Sequence, residues 1–338
     1  MSRPLRIGLL GAGGIAQVSH LPAYARIPEA VVTAIADVDR GKAERVASRY
    51  NVPAVAESYD AVAVLDTVDA VDICLPNHLH APAALAALAA GKHVLCEKPF
   101  SRSAEEARAM VEAARKADRV LMGGFNHRFR EDARILKRFV DKGELGRVFY
   151  GKTGWLMQAA SWTPGSWREE KRYAGGGVLM DLGIQMLDLA LWLLDMPRVV
   201  SVSASAHPKP TRETLETTAT ALLRLEGGCV LSLEVAWGLL VAKDMAYVNL
   251  FGEKGAALLH PLRLHKEKRG SLVDVTPALR APRNLYKQSY EHEIRHFVEC
   301  ARGSLWPDSP GEDALALLEI SEALYRSAGE GKEVVLRG

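Results

Sequence analysis

Lys98 stands in Glu97-Lys98-Pro99, directly after the short apolar run Val94-Leu95-Cys96 and eighty-five residues beyond Gly13 of the turn Gly11-Ala12-Gly13-Gly14-Ile15-Ala16. An amine at the carboxyl end of a parallel strand lies on the edge where open α/β sheets bind ligands, and there it can act as an acid or a base. Most lysines are solvated surface groups, so catalysis needs support from elsewhere in the chain. The glycine turn supplies some, because it reads G-x-G-x-x-A after a first apolar strand. Gly11 permits a tight turn, Gly13 lets backbone approach a pyrophosphate, and Gly14 and Ile15 open a helix whose N-terminus attracts phosphate charge. The small Ala16 allows close helix-to-strand packing. A glycine-rich structural turn is the plain alternative to a dinucleotide site.

Asp37 ends the second apolar run, twenty-four residues after Gly13. A carboxylate there accepts hydrogen bonds from the adenosine ribose hydroxyls and repels a 2′-phosphate, so NAD is expected over NADP. Arg40, three residues on, leaves room for dual use, and Asp37 also fits a turn or cap, a duty open to Asp39 as well. At the end of the run from Ala70 to Leu75 stands Pro76-Asn77-His78-Leu79-His80, again at a strand's carboxyl edge. Asn77 could hydrogen-bond the cofactor and His80 could approach the nicotinamide side, though each alone is more often a loop or capping residue.

The elements that must hold these groups are legible as periodicity. Apolar runs at Leu5 to Leu10, Val31 to Ala36, Ala70 to Leu75, Val94 to Cys96 and Val120 to Met122 alternate with helical patterns. Such alternation predicts a parallel, doubly wound sheet with right-handed crossovers. Ser103 followed by Glu106 reads as a capping box, and Gly91 stops the alanine-rich stretch from Pro82 to Ala90. After Gly123-Gly124 the pattern changes. A helix near Asp132 to Lys142, a strand from Val148, an irregular stretch from Ser161 to Gly177 and a helix from Asp181 to Leu194 precede four β-rich runs: Val199 to Ala206, Thr217 to Leu225, Cys229 to Ala236 and Ala246 to Phe251. Strands in direct succession predict an antiparallel sheet, and two amphipathic helices, Tyr290 to Gly303 and Gly311 to Ala328, close the chain. The expected organisation is a dinucleotide-binding domain over 1–124 and a second α+β domain over 125–338, with a large, mainly antiparallel open sheet. One sheet face without helices would suit a homodimer or homotetramer contact.

Composition sets the outer bounds. At 338 residues the chain exceeds one ordinary hydrophobic core, which favours two domains. Its 48% hydrophobic and 25% charged content and net charge of +2 give no reason to expect nucleic acid or membrane partners. Cys74, Cys96, Cys229 and Cys300 form no C-x-x-C pair and sit in no His-rich cluster, so they read as buried reduced thiols without a metal site. No leader pattern and no stretch approaching twenty apolar residues is seen, from which a cytoplasmic location is expected.

The chain resembles the Gfo/Idh/MocA oxidoreductases. The likeness rests on Gly11 to Ala16, Pro76 to His80, Glu97-Lys98-Pro99, Gly124-Phe125-Asn126-His127-Arg128-Phe129, Trp167-Arg168, and Gly175-Gly176-Gly177 followed by Asp181, Gly183 and Asp188. What the resemblance implies is an N-terminal Rossmann domain, a C-terminal α/β domain often used for oligomerisation, and hydride exchange between a nicotinamide and a sugar, polyol or sugar derivative. It further implies that Lys98 lies near the reacting oxygen, that Glu97 contacts the nicotinamide ribose, and that Asp181 and the residue four positions later face the substrate. That later residue is Gln185, where many members have a His acting as acid/base and some have Tyr.

Asp181, Gln185 and Asp188 share one helix face, whereas Met186, Leu189 and Leu193 fit a core-packing face. An amide donates and accepts hydrogen bonds but carries no proton at neutral pH, so Gln185 can orient a hydroxyl and cannot deprotonate it. Lys98 then leads for proton transfer. To serve as a base near neutrality its amine must lose about 4 kcal/mol of preference for the ammonium form, which burial and a cationic nicotinamide would supply and a nearby Asp181 would oppose. His80 and His127 are reserve bases. The resemblance implies that Asn126 and Arg128, after the last strand of the first domain, reach cofactor and substrate respectively, with a surface ion pair the alternative for Arg128. Arg168 is a candidate for cofactor contact and Trp162 and Tyr290 for substrate contact, while Trp162 and Trp167 offer stacking faces or, equally, domain packing. Three activities follow: an NAD-dependent dehydrogenase or reductase; elimination, epimerisation or glycoside cleavage through transient oxidation; or cofactor binding without catalysis.

Overall fold

The computed structural model describes residues 3–158, 166–208, 215–278 and 284–336. The chain divides into two compact units, Met1–Arg130 with Pro282–Leu315, and Glu131–Ala281 with Ala316–Gly338.

In the first unit, β1 (Leu5–Leu10) leads through a π-helical turn, Ala16–His20, into α1 (Leu21–Tyr24). There follow β2 (Ala30–Ala36), α2 (Arg40–Tyr50), β3 (Ala54–Ala56), α3 (Tyr59–Ala63), β4 (Ala70–Ile73), α4 (His80–Ala89), β5 (His93–Glu97), α5 (Ala104–Ala117) and β6 (Leu121–Gly124). The sheet order is β3-β2-β1-β4-β5-β6, parallel throughout. This is the Rossmann order, and its reversal between β1 and β4 opens the crevice in which such sheets bind dinucleotides. All four residues of β4 are buried, as expected of a central parallel strand covered on both faces, yet one of them is Asp72. Ser103 accepts the Glu106 amide hydrogen as a helix cap, while the Glu106 carboxylate accepts from the amide of Arg102, one residue earlier than a capping box requires. β3, three residues long, falls below what apolar periodicity detects.

The second unit begins with α6 (Glu131–Asp141), β7 (Val148–Leu156) and α7 (Lys171–Ala174). A second π-helical turn, Leu179–Gly183, feeds α8 (Ile184–Leu193). The remaining strands are β8 (Val199–Pro208), β9 (Glu216–Leu225), β10 (Val230–Ala236), β11 (Met245–Gly252), β12 (Gly255–Leu259), β13 (Arg263–Lys268) and β14 (Ser271–Asp274). Then come α9 (Leu285–Ala301), α10 (Gly311–Glu330) and β15 (Val334–Val335). The nine-stranded sheet has the order β14-β13-β12-β11-β7-β10-β9-β8-β15; every pair is antiparallel except β7 with β10. The mainly antiparallel open sheet is as expected, although β12 to β14 were not foreseen. β13 reads Arg-Leu-His-Lys-Glu-Lys, the charged, weakly alternating pattern of strands near a sheet edge.

All ten residues of α8 are buried. Lys171–Leu193 is long and apolar enough by composition to cross a membrane, yet Asp181, Gln185 and Asp188 interrupt it and 94% of its most apolar window is buried inside the protein, as in a core helix. α9 belongs to the first unit. Its Ile294, Phe297 and Val298 share a core cluster with Ile7, Leu9 and Ile35 of the parallel sheet.

Candidate active site

The glycine turn is shaped by two different constraints. Gly11 has φ +96°, and a Cβ there would lie 2.5 Å from the Cys74 carbonyl oxygen at the end of β4. Both the left-handed backbone and the close approach of β4 require glycine. Around Gly13 and Gly14 no atom lies within 4 Å of where a Cβ would stand, so this side of the turn is open. Asp37, just past β2, accepts the Ala12 amide hydrogen on Oδ2 at 2.8 Å and the Asp39 amide hydrogen on Oδ1 at 2.9 Å. Asp39 caps α2 by accepting from Lys42, whose ammonium also pairs with Asp37 at 2.9 Å. Arg40 turns to Glu44 and Glu57.

Glu97 closes β5 and is 6% exposed. Its Oε2 accepts the Lys98 amide hydrogen at 3.0 Å, and its Oε1 lies 2.9 Å from Nε2 of His20. His20, at the end of the first π-helical turn, places Nδ1 2.7 Å from Oδ2 of Asp72. Burial is the largest single influence and opposes the imidazolium, but the charges of Asp72 and Cys74 and the hydrogen bonds to them together outweigh it and hold the ring well above the ordinary histidine range. Cys74 donates its thiol to Asp72, and burial pushes that thiol up to about 12. His20, Asp72 and Cys74 each bring one donor atom within 4.8 Å of the others. Both ring nitrogens of His20 already face carboxylate oxygens, so a metal among these three groups would have to displace one of those contacts. The sequence reading missed His20. The available signal was Asp72 itself, a charge inside a central strand, which demands a buried partner.

Other residues of the first unit are bound within it. His80, 1% exposed, sets Nδ1 2.8 Å from the Pro99 carbonyl and Nε2 2.8 Å from the Leu75 carbonyl, bracing the loops after β4 and β5. Burial pushes this ring below the ordinary range, and a neutral ring donates to one of those carbonyls at a time. Asn77 opens a short turn after Pro76 and is buried, as is His127. Asn126 donates to Ser289 on α9 at 2.9 Å. Arg128 is fully buried; it donates to the Asp308 carbonyl and pairs with Asp313 at 2.7 Å. Tyr290 on α9 lays its ring 5.4 Å from that of His20.

In the second unit, Asp181 lies in the π-helical turn and is the one residue from 176 to 193 that is partly exposed, all the others being buried. Trp237 donates its indole N–H to Asp181 Oδ2 at 3.2 Å, and Arg168 is within electrostatic reach of the same carboxylate. Gln185 and Asp188 follow, both buried. Glu216, which the sequence reading did not single out, anchors the start of this helix: its Oε1 accepts from the amides of Gly177 and Leu179 and from the Tyr325 hydroxyl. A Cβ on Gly177 would stand 2.1 Å from the Glu216 carbonyl oxygen, which accounts for that glycine. Trp167 carries the Arg168 guanidinium 4.5 Å above its ring; Trp162 lies outside the described residues.

Comparison with known proteins agrees with this architecture. Residues 5–125 match the model of an oxidoreductase family with an NAD-binding Rossmann fold, and residues 137–336 match that family's C-terminal alpha/beta domain. D-glucoside 3-dehydrogenase of Escherichia coli is 30% identical over 99% of this chain and 98% of its own length. Myo-inositol 2-dehydrogenase of Thermotoga maritima is 26% identical over 98% of each chain. Levoglucosan dehydrogenase solved with NADH superposes with a TM-score of 0.89 at 24% identity, covering 99% of this chain and 100% of that one. The chain belongs to the Gfo/Idh/MocA family: it is an oxidoreductase with an NAD-binding Rossmann domain.

Proposed function

We propose that the protein is an NAD-dependent dehydrogenase or reductase of a CH–OH group on a sugar, polyol or sugar derivative, with D-glucosides the first class to test. The observation that carries this is the end-to-end match to a D-glucoside 3-dehydrogenase, over 99% of this chain, in a sequence that keeps Glu97-Lys98-Pro99 and Asp181. NAD, when bound, supplies the hydride acceptor. Lys98 exchanges the hydroxyl proton, and Asp181 and Gln185 orient the sugar. The partly buried position of Lys98 just past β5 and the partial exposure of Asp181 in an otherwise buried segment support these roles. Asp37 next to the glycine turn supports NAD over NADP.

Association through the nine-stranded sheet belongs to the same proposal. Tyr150 and Phe251 stack there with ring centroids 5.7 Å apart, and Leu222 is 41% exposed. A cytoplasmic setting fits four buried free cysteines. The test is a panel of D-glucosides, levoglucosan, inositols and aldoses with NAD and NADP, following reduced cofactor and sugar consumption together. NADH formed in step with sugar oxidation is expected. Sugar consumed without NADH would replace this reading with transient oxidation, and tight NAD binding with no turnover would replace it with a non-catalytic one.

A further inference from the structure

Asp72 and Glu97 lie on neighbouring strands, β4 and β5, and both are buried. Two carboxylates brought together away from water repel each other unless a cation stands between them. His20 stands there, 2.7 Å from Asp72 and 2.9 Å from Glu97. An ionised carboxylate only accepts hydrogen bonds, so satisfying both contacts requires N–H on both ring nitrogens. The second oxygen of Glu97 meanwhile accepts the Lys98 amide. With its two oxygens held by different elements, the carboxylate has one orientation, and its remaining lone pairs have one direction.

We propose that His20, as a doubly protonated ring bridging Asp72 and Glu97, is the positioning residue that fixes the Glu97 carboxylate for the nicotinamide ribose and, through the Lys98 amide, fixes where Lys98 leaves the sheet. The inference rests on the reading that Glu97 meets the cofactor. His20 approaches from the helix that begins at the glycine turn, so one short helix carries the turn at its start and the Glu97 clamp at its end. The π-helical turn is the local device, since its extra residue per turn shifts the register of the positions that follow. The groups facing the ring are Asp72 and Cys74 from β4 and its end, Glu97 from β5, Tyr24 from α1, and Tyr290 from α9; Glu293 on α9 acts on both tyrosines. These groups are acidic or neutral, and none competes with the imidazolium for its position.

Two measurements test the inference. The first is 15N-histidine NMR of the wild-type protein from pH 6 to 8.5, with the His20 signal assigned by its loss in His20→Asn. Two ring N–H protons, unchanged across the range, are expected; a singly protonated ring, or one titrating near the ordinary histidine value, overturns the proposal. The second is a double-mutant cycle read by NADH binding, using His20→Asn and Glu97→Gln. Each is expected to weaken NADH about ten- to a hundredfold, the scale of one hydrogen bond to a charged group, and the double variant no more than Glu97→Gln alone. Independent, multiplying losses overturn it, as does unchanged affinity in His20→Asn when Glu97→Gln is impaired. If Glu97→Gln is itself silent, the failure belongs to the reading of Glu97. Neither measurement depends on which sugar is turned over or on whether Lys98 moves the proton.

Discussion

Asp37 Oδ2 accepts the Ala12 amide hydrogen at 2.8 Å, tying the end of β2 to the glycine turn. The carboxylate is therefore held beside the surface on which an adenosine ribose would lie, while Asp39 takes over the capping of α2. Asp37→Ser should lower the preference for NADH over NADPH at least tenfold in paired binding titrations. Asp39→Ala should cost about 1 kcal/mol of stability, as for a lost N-cap, and leave the preference where it was. Equal loss of preference in both variants would remove Asp37 from its assigned role.

Gly11 and Gly13 should respond in opposite ways to the same substitution. Gly11→Ala drives a Cβ to 2.5 Å from the Cys74 carbonyl at φ +96°, and a loss of about 3 kcal/mol in urea unfolding is expected. Gly13→Ala meets no atom within 4 Å and should unfold like the wild type while binding NADH at least tenfold more weakly. Unimpaired NADH binding in Gly13→Ala would mean that the pyrophosphate does not rest there.

Lys98→Met should reduce kcat by about 10²- to 10⁴-fold, the usual worth of general acid–base catalysis, with the NADH dissociation constant within about threefold of wild type. Gln185→Leu, at a buried position, should lower kcat/KM for the sugar about tenfold through the lost hydrogen bond and leave NADH affinity alone. Turnover retained by Lys98→Met would transfer the proton to another group.

His93 gives a stability signature in pH. Burial, with Arg119 acting in the same direction, lowers its pKa to about 4, and the neutral ring accepts the Val120 amide hydrogen on Nδ1. In the unfolded chain the ring titrates near 6.5, so between about pH 6.5 and pH 4 the unfolded state binds the extra proton. Stability should therefore be fully present above pH 6.5, decline as pH falls through this window, and stop declining from this source below pH 4. His93→Gln should remove up to one proton's worth of that slope in urea titrations at stepped pH; an unchanged slope would show that the ring protonates freely in the folded protein.

How far the site was legible depends on what holds each residue. Gly11, Gly13 and Asp37 stand at fixed offsets around β1 and β2, so local spacing located them. Asp181 and Gln185 were placed on one face by i, i+4 arithmetic, although a π-helical turn at Leu179–Gly183 interrupts the regular helix on which that arithmetic depends. His20 and Glu216 carry no local signal because their partners are distant in sequence; Asp72 in a central strand demands a buried partner but does not say which. His20 meets residues 52 and 77 positions away, and Glu216 caps a helix 37 and 39 positions before it. Asn126 and Arg128 were candidate ligand contacts by resemblance, with an ion pair the alternative for Arg128, and Tyr290 a candidate for the pocket; contacts described for all three lie within the first unit, through the segment 282–315 that returns to it.

By itself the sequence determined the parallel doubly wound sheet, the glycine turn, the position of Lys98 at the end of β5 and the succession of β-rich runs. All of these follow from periodicity and short-range stereochemistry, which act over a few residues. Only the tertiary structure decided which charges are paired. A buried carboxylate such as Asp72 or Glu97 is held by whatever long-range packing brings beside it, and the energy of that pairing resides in burial and distance, neither of which a linear pattern carries.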